Sequence, residues 1–88
     1  MSADPDRLSV AWLDEARSDL RGIDRGKALE ILHCLDRYLK TRSGDVKQLS
    51  PPLTGFRLRC GDYRLFFKPV DKFGIEITGV AHRREAYR

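Results

Sequence analysis

The sequence predicts an α+β fold: an N-terminal strand, then a two-helix hairpin packed on one face of a small antiparallel sheet, in the order β-α-α-β-β-β. Three patterns carry that expectation. Helical periodicity runs through 24–44, strand-like alternation occupies 7–13, and two alternating segments flank Gly61–Asp62. A chain of 88 residues, 41% hydrophobic and 34% charged, is expected to form one domain over 1–88, near the lower size limit for a single core. Residues 1–6 lie ahead of the first pattern and are expected to be disordered. No apolar run approaches the ~20 residues of a membrane span, and no basic segment precedes an apolar one. The expectation is therefore a cytoplasmic protein with no membrane contact.

In 7–13, Leu8, Val10 and Trp12 alternate with Arg7, Ser9 and Ala11, as in a half-buried strand. The segment 14–23 opens on Asp14 and Glu15, which suit a helix N-terminus, and Gly22 is placed to end that helix. Over 24–44, Ala28, Ile31, Leu32, Leu35, Tyr38 and Leu39 form one apolar face. Glu30, His33, Arg37 and Lys40 occupy the other, so His33 reads as a solvated residue. Asp24 is the expected N-cap, Lys40 and Arg42 suit the C-terminal dipole, and Gly44 is the expected stop. The segment 45–55 reads as a loop, because Pro51–Pro52 cannot continue a helix or a central strand.

Gly61–Asp62 is a two-residue hairpin turn, with Gly61 supplying a positive φ. The turn fixes the register: Cys60 opposes Tyr63, Arg59 opposes Arg64, Leu58 opposes Leu65, Arg57 opposes Phe66, and Phe56 opposes Phe67. Phe56, Leu58, Cys60, Tyr63, Leu65 and Phe67 then share an apolar face. Arg57, Arg59, Arg64 and Lys68, with Phe66 among them, share the other. A five-residue loop over 70–74 leads to a last strand over 74–82. That register buries Ile75 and Ile77 and sets Glu76, Thr78, Val80 and His82 on the basic face, with Glu76 facing Lys68; a four-residue loop would invert the alternation, and the five-residue one is preferred because it buries both isoleucines.

Cys34 and Cys60 form no C-x-x-C pair, and no ligand spacing links them to the two histidines. They read as small buried hydrophobes with free thiols in a reducing cytosol, with a disulfide or a metal site as the alternative. The net charge of +4 is unevenly placed: residues 1–50 hold nine Lys/Arg and nine Asp/Glu, whereas 51–88 hold eight and four. A basic excess confined to one half points to an anionic partner.

Arg59 opposite Arg64, with Arg57 beside them, is electrostatically unfavourable on a bare sheet. One reading is a solvated face that tolerates the repulsion; the other is a platform for phosphates, where the planar guanidinium fork is useful. Phe66 either packs on the arginine stems or stacks on a base. An antiparallel last strand returns His82, Arg83, Arg84 and Tyr87 to the Arg59–Arg64 end. Such a cluster can stabilise a pentavalent phosphate and move a proton. No paired carboxylates suit a two-metal site, and a metal-free cleavage needs an internal nucleophile, which RNA supplies as its 2′-hydroxyl. No cofactor loop and no Ser/His/Asp or Cys/His grouping is evident.

"FRLRCGDYRLFF" followed by "VAHRREAYR", after a helical pair and an N-terminal "VAW" strand, resembles the RelE/ParE superfamily of bacterial type II toxins over residues 7–88. The resemblance implies an α+β toxin domain neutralised by a cognate antitoxin. In the RelE branch it implies cleavage of messenger RNA on the ribosome, leaving a 2′,3′-cyclic phosphate and a 5′-hydroxyl. By the same resemblance, Arg64 contacts the scissile phosphate, and Arg57 and Arg59 occupy basic positions on the preceding strand. Arg83 or Arg84 matches the basic residue at the end of the last strand, Tyr87 matches the C-terminal tyrosine, and His82 recurs in the motif. His82 is a candidate proton donor or a structural hydrogen-bonding residue. Lys68, Phe66 and Arg84 complete the expected RNA-binding set, with no metal. ParE-type members share this fold and poison DNA gyrase without cleaving RNA. A non-catalytic module that only binds an acidic antitoxin segment is a third possibility. Arg57, Arg59 and Arg64 together with Tyr87 favour the RNase branch.

Overall fold

The computed structural model describes residues 7–85. Seven elements follow in chain order: β1 (Ser9–Trp12), α1 (Asp14–Arg21), α2 (Arg25–Thr41), β2 (Asp45–Gln48), β3 (Phe56–Cys60), β4 (Tyr63–Asp71) and β5 (Gly74–His82). The strands form one five-stranded sheet in the order β1-β5-β4-β3-β2. Only the β1–β5 pairing is parallel; β2 to β5 form an antiparallel meander. The expected α+β order holds, with one strand more than expected.

That extra strand is β2. The first four residues of the segment read as a loop pair with β3, Val46 opposite Leu58 and Lys47 opposite Arg57. Four residues with one inward apolar side chain carry too little alternation to be read in advance. Only the neighbouring β3 edge makes them a strand.

Both helices cover one face. Ala16 of α1 and Ile31, Leu35 and Leu39 of α2 are buried against Leu58, Leu65, Phe67 and Ile77. Leu32, expected on the inner face, is 36% exposed, and Cys34 is drawn against the core instead. Asp24 caps α2 by accepting from the Gly26 N–H at 3.1 Å. The helix ends at Arg42, which takes a left-handed φ of 61°, rather than at Gly44. The Arg42 guanidinium donates to the Leu39 carbonyl at 2.7 Å, so one residue both terminates the helix and satisfies an end carbonyl.

The cysteines are not free: Cys34 and Cys60 form a disulfide from α2 to the end of β3, with Cα atoms 5.9 Å apart. Two thiols 26 residues apart give no sign of pairing in sequence. It takes the packing of α2 on β3 to bring them together.

The register expected for β3 and β4 is the one observed, residue for residue. The β4–β5 connection is tighter than the loop read over 70–74. β4 runs to Asp71, Gly74 starts β5, and only Lys72 and Phe73 lie between. Ile75 and Ile77 are buried and Glu76 lies opposite Lys68, as expected. Beyond Ile77 the alternation fails. Phe67 pairs with Ile77 but Phe66 pairs with Gly79, so Thr78 is an extra residue in a β-bulge. The bulge reverses the parity of β5, turning Val80 into the core at 6% exposure rather than onto the basic face. Its N–H is satisfied from outside the ladder, donating to Asp19 Oδ2 of α1 at 3.0 Å.

Among the described residues, no helix is long and apolar enough to cross a membrane.

Candidate nucleic-acid interface

The arginine face is set by alternation on β3 and β4. With Leu58, Cys60, Leu65 and Phe67 buried under the helices, Arg57, Arg59, Arg64, Phe66 and Lys68 are placed on the opposite side. Arg59 and Lys68 are exposed, and among the described residues neither has an acid within 4.0 Å. Arg57 is only partly free: its Nη2 lies 3.9 Å from Asp45 Oδ1 on β2, and its side chain is 11% exposed. The strand that sequence reading missed thus brings a carboxylate to one end of the cationic row.

Arg64 is the unusual member. It is the one charged residue among the described residues that is buried, at 6% exposure. Its Nη1 donates to the Gly61 and Tyr63 carbonyls, each at 3.0 Å, which fastens the guanidinium to the hairpin turn. No carboxylate of the described residues pairs with it, and its Nε is buried without a partner. A buried cation held only by neutral carbonyls, with one N–H unsatisfied, is costly unless an anion completes it.

The end of β5 returns to the same turn. The Arg83 N–H donates to the Asp62 carbonyl at 2.7 Å, and Arg83 Nε lies 3.7 Å from Asp62 Oδ1. Arg83 therefore stands over the turn that holds Arg64, and Arg84 is exposed beside it. His82 is placed differently from the sequence expectation. Because of the Thr78 bulge it pairs with Tyr63, on the helix side of the sheet, and Ala81 stands opposite Arg64. The His82 and Tyr63 rings meet edge-on, centroids 5.3 Å apart at 85°. His82 Nδ1 accepts from the Arg84 N–H at 3.2 Å, which leaves Nε2 as the protonated nitrogen of the neutral ring. His82 borders a cavity of about 430 Å³ with Asp19, Tyr63, Ala81 and Glu85. Tyr87, expected in the same cluster, lies outside the described residues.

A second depression opens at the other end of the arginine face, between Phe66, Lys68, Thr78 and the 49–55 loop, with a volume of about 500 Å³. The sequence places Phe66, Lys68 and Thr78 on the basic face and Pro52 in the loop before it, whereas Leu49, Leu53, Thr54 and Gly79 carry no such mark. The signal that could have marked it is Gly79, a glycine inside a strand pattern, which commonly accompanies a bulge. No group of three or more metal-ligating side chains occurs among the described residues.

No family model matches the chain, and no curated protein does either. Solved structures do. The RelBE2 toxin–antitoxin complex from Mycobacterium tuberculosis contains a chain with TM-score 0.78 and 23% identity, covering 96% of this chain and 100% of that one. A chain of the RelB–RelE antitoxin–toxin complex from Methanococcus jannaschii gives 0.68 at 20% identity, over 88% and 94%. The YoeB dimer from Staphylococcus aureus gives 0.64 at 23% identity, over 83% and 93%. At these identities the likeness shows a common fold: this chain has the fold of the RelE-like toxins.

Proposed function

We propose that the chain is the toxin of a type II toxin–antitoxin pair and an endoribonuclease that cuts messenger RNA on the ribosome. The observation that carries the reading is Arg64, a buried guanidinium with no carboxylate and an unsatisfied Nε on an arginine-lined face. A phosphodiester drawn to the arginine face supplies the missing anion once the side chain of Arg64, a residue 6% exposed, turns outward to meet it. Two features lend support: the fold is that of chains solved in toxin–antitoxin complexes, and the basic excess lies in residues 51–88.

In this reading Arg64 and Arg59 hold the scissile phosphate and stabilise the charge that builds as the 2′-hydroxyl attacks phosphorus. The P–O5′ bond breaks, leaving a 2′,3′-cyclic phosphate and a 5′-hydroxyl. The turn carbonyls hold the guanidinium at the hairpin before substrate arrives. Arg83 and Arg84 add positive charge at the turn, and Arg57 and Lys68 bind flanking phosphates. Proton transfer falls to Tyr87. His82 steadies the turn after β5 by accepting from the Arg84 N–H at Nδ1. Before messenger is met, a cognate antitoxin covers the basic face.

The test is a translating-ribosome cleavage assay with Arg64→Ala and Arg64→Lys, the fold of each checked by circular dichroism. Arg64→Ala is expected to lose about 10²–10³-fold in cleavage, the scale of one transition-state donor. Arg64→Lys should fall between, because it keeps the charge and loses the fork. Intact messenger with the wild-type protein, together with trapped gyrase–DNA complexes, would replace this reading with the gyrase-poison one.

A further inference from the structure

We infer that the depression beside Phe66 is a nucleobase pocket for single-stranded RNA, seating the base next to the phosphate held by Arg64. The inference rests on the RNA-binding reading of the arginine face and adds to it the site that tells one base from another.

Four observations point there. Phe66 is a half-buried aromatic ring on a face otherwise cationic, the arrangement in which proteins stack an unpaired base. The sheet is opened opposite that ring: two residues, Thr78 and Gly79, face one, and Gly79 puts no side chain across it. A Cβ at Gly79 would lie 3.5 Å from Asp19 Oδ2 and 4.0 Å from Phe66 Cδ2, so a side chain there would stand against the ring edge. The remaining wall is built rather than loose. The 49–55 loop is closed at its base by the Leu49 N–H donating to the Gly55 carbonyl at 3.0 Å. Gly55 has φ 97°, and a Cβ there would come within 2.6 Å of the Phe67 carbonyl, so the loop is seated directly on β4. Leu53 is held 62% exposed on this loop and lines the depression from the far side.

The dimensions and chemistry fit one base. A volume of about 500 Å³ holds a purine or pyrimidine between an aromatic and an aliphatic wall. Thr54 and Thr78 supply hydroxyls for a base edge, and Lys68 lies at the rim to meet a phosphate. Arg64 and Phe66 are two residues apart on one strand face, about 7 Å, which is the reach of one nucleotide in an extended strand. Charge selects the class of partner: the row runs through Lys68, Arg64, Arg59 and Arg57, outnumbering the acids beside it, which are Glu76 opposite Lys68, Asp45 against Arg57 and Asp19, whose Oδ2 lies 3.5 Å from where a Gly79 Cβ would stand. Stacking alone is tolerant of sequence, so the two hydroxyls are the source of preference.

The probe is a 2′-O-methyl hexanucleotide bearing one 2-aminopurine, which cannot be cleaved and whose fluorescence is quenched on stacking. Wild-type protein should quench it. Phe66→Leu keeps the apolar volume and should abolish quenching, weakening binding by about 5- to 150-fold. Leu53→Ala, at an exposed position, should reduce quenching with the fold intact. Sequencing of cut 5′ ends should show that Thr78→Val changes the base preferred beside the cut. Quenching by wild type with no cleavage of messenger would keep the pocket and defeat the nuclease reading. Cleavage that proceeds in Phe66→Leu with unchanged rate and base preference would overturn the pocket. So would an unquenched probe combined with weaker hold of Phe66→Leu on the cognate antitoxin, which would make the depression a protein-docking site.

Discussion

Opening the Cys34–Cys60 bond tests how the hairpin that carries Arg64 is held. The bond closes a loop of 26 residues running from α2 through β2 into β3. Cross-linking removes loop freedom from the unfolded chain. For a closed loop of that length the chain-entropy relation gives about 3.5 kcal/mol at 25 °C. For a domain of this size each kcal/mol moves the melting midpoint by ~4–8 °C, so reduction should lower it by about 14–28 °C. Thermal unfolding followed by circular dichroism, with and without reductant, measures this directly. Cys34→Ala is the control of choice, because Cys34 is half-buried whereas Cys60 is 7% exposed and leaves a core defect when changed. Reduced wild type and Cys34→Ala should melt close together, and native oxidised protein should show no titratable thiol. A shift under ~5 °C, or free thiols in the native protein, would refute the reasoning.

The same bond bears on function through one residue of chain. Cys60 precedes Gly61, whose carbonyl accepts from the Arg64 guanidinium at 3.0 Å. If the bond steadies that turn, reduced protein kept well below its midpoint should cleave more slowly than its folded fraction accounts for.

Two further predictions concern single carboxylates. Asp19→Ala leaves the Val80 N–H without its acceptor at the bulge and should cost about 1–3 kcal/mol in urea unfolding. Asp19→Asn, which still offers an oxygen, should cost less, and equal stability of Asp19→Ala and wild type would show that the bond contributes nothing. Asp36 is held below the ordinary carboxyl value of 3.8, first by its hydrogen bond with Lys40 and then by Arg7. A lowered carboxyl pKa stabilises the fold above the unfolded value and loses that contribution as pH falls through the folded one. Asp36→Asn should therefore flatten the loss of stability below about pH 4, by an amount that shrinks in high salt because the pair is exposed. Parallel acid titrations of the two proteins at low and high salt would reveal an unchanged slope, which would remove Asp36 from the account.

What could be read in sequence follows from how local each determinant is. Gly61–Asp62 fixes five cross-strand pairs by itself, because a two-residue turn leaves no slack in register. The α2 face was legible because its apolar residues repeat over a length that only a helix explains. The rest depends on contacts between distant segments. β2 exists because β3 offers an edge, the disulfide because α2 crosses the end of β3, and the bulge because Asp19 takes up the Val80 N–H that the ladder leaves free.

The bulge had the largest consequence for the candidate site. One inserted residue at Thr78 inverts every later side chain of β5. Val80 enters the core, His82 moves to the helix side against Tyr63, and Ala81 is left across from Arg64. A methyl group, and not an imidazole, thus stands opposite Arg64. β5 then presents no group able to transfer protons on the arginine face: Ala81 and Gly79 lack one, Thr78 carries only an aliphatic hydroxyl, and Glu76 lies opposite Lys68 at the far end. The proposed reaction assigns the proton transfer to the segment that follows Arg83. Tyr87 is the only phenol or imidazole in the chain after His82. Tyr87→Phe should therefore cost far more cleavage than His82→Gln.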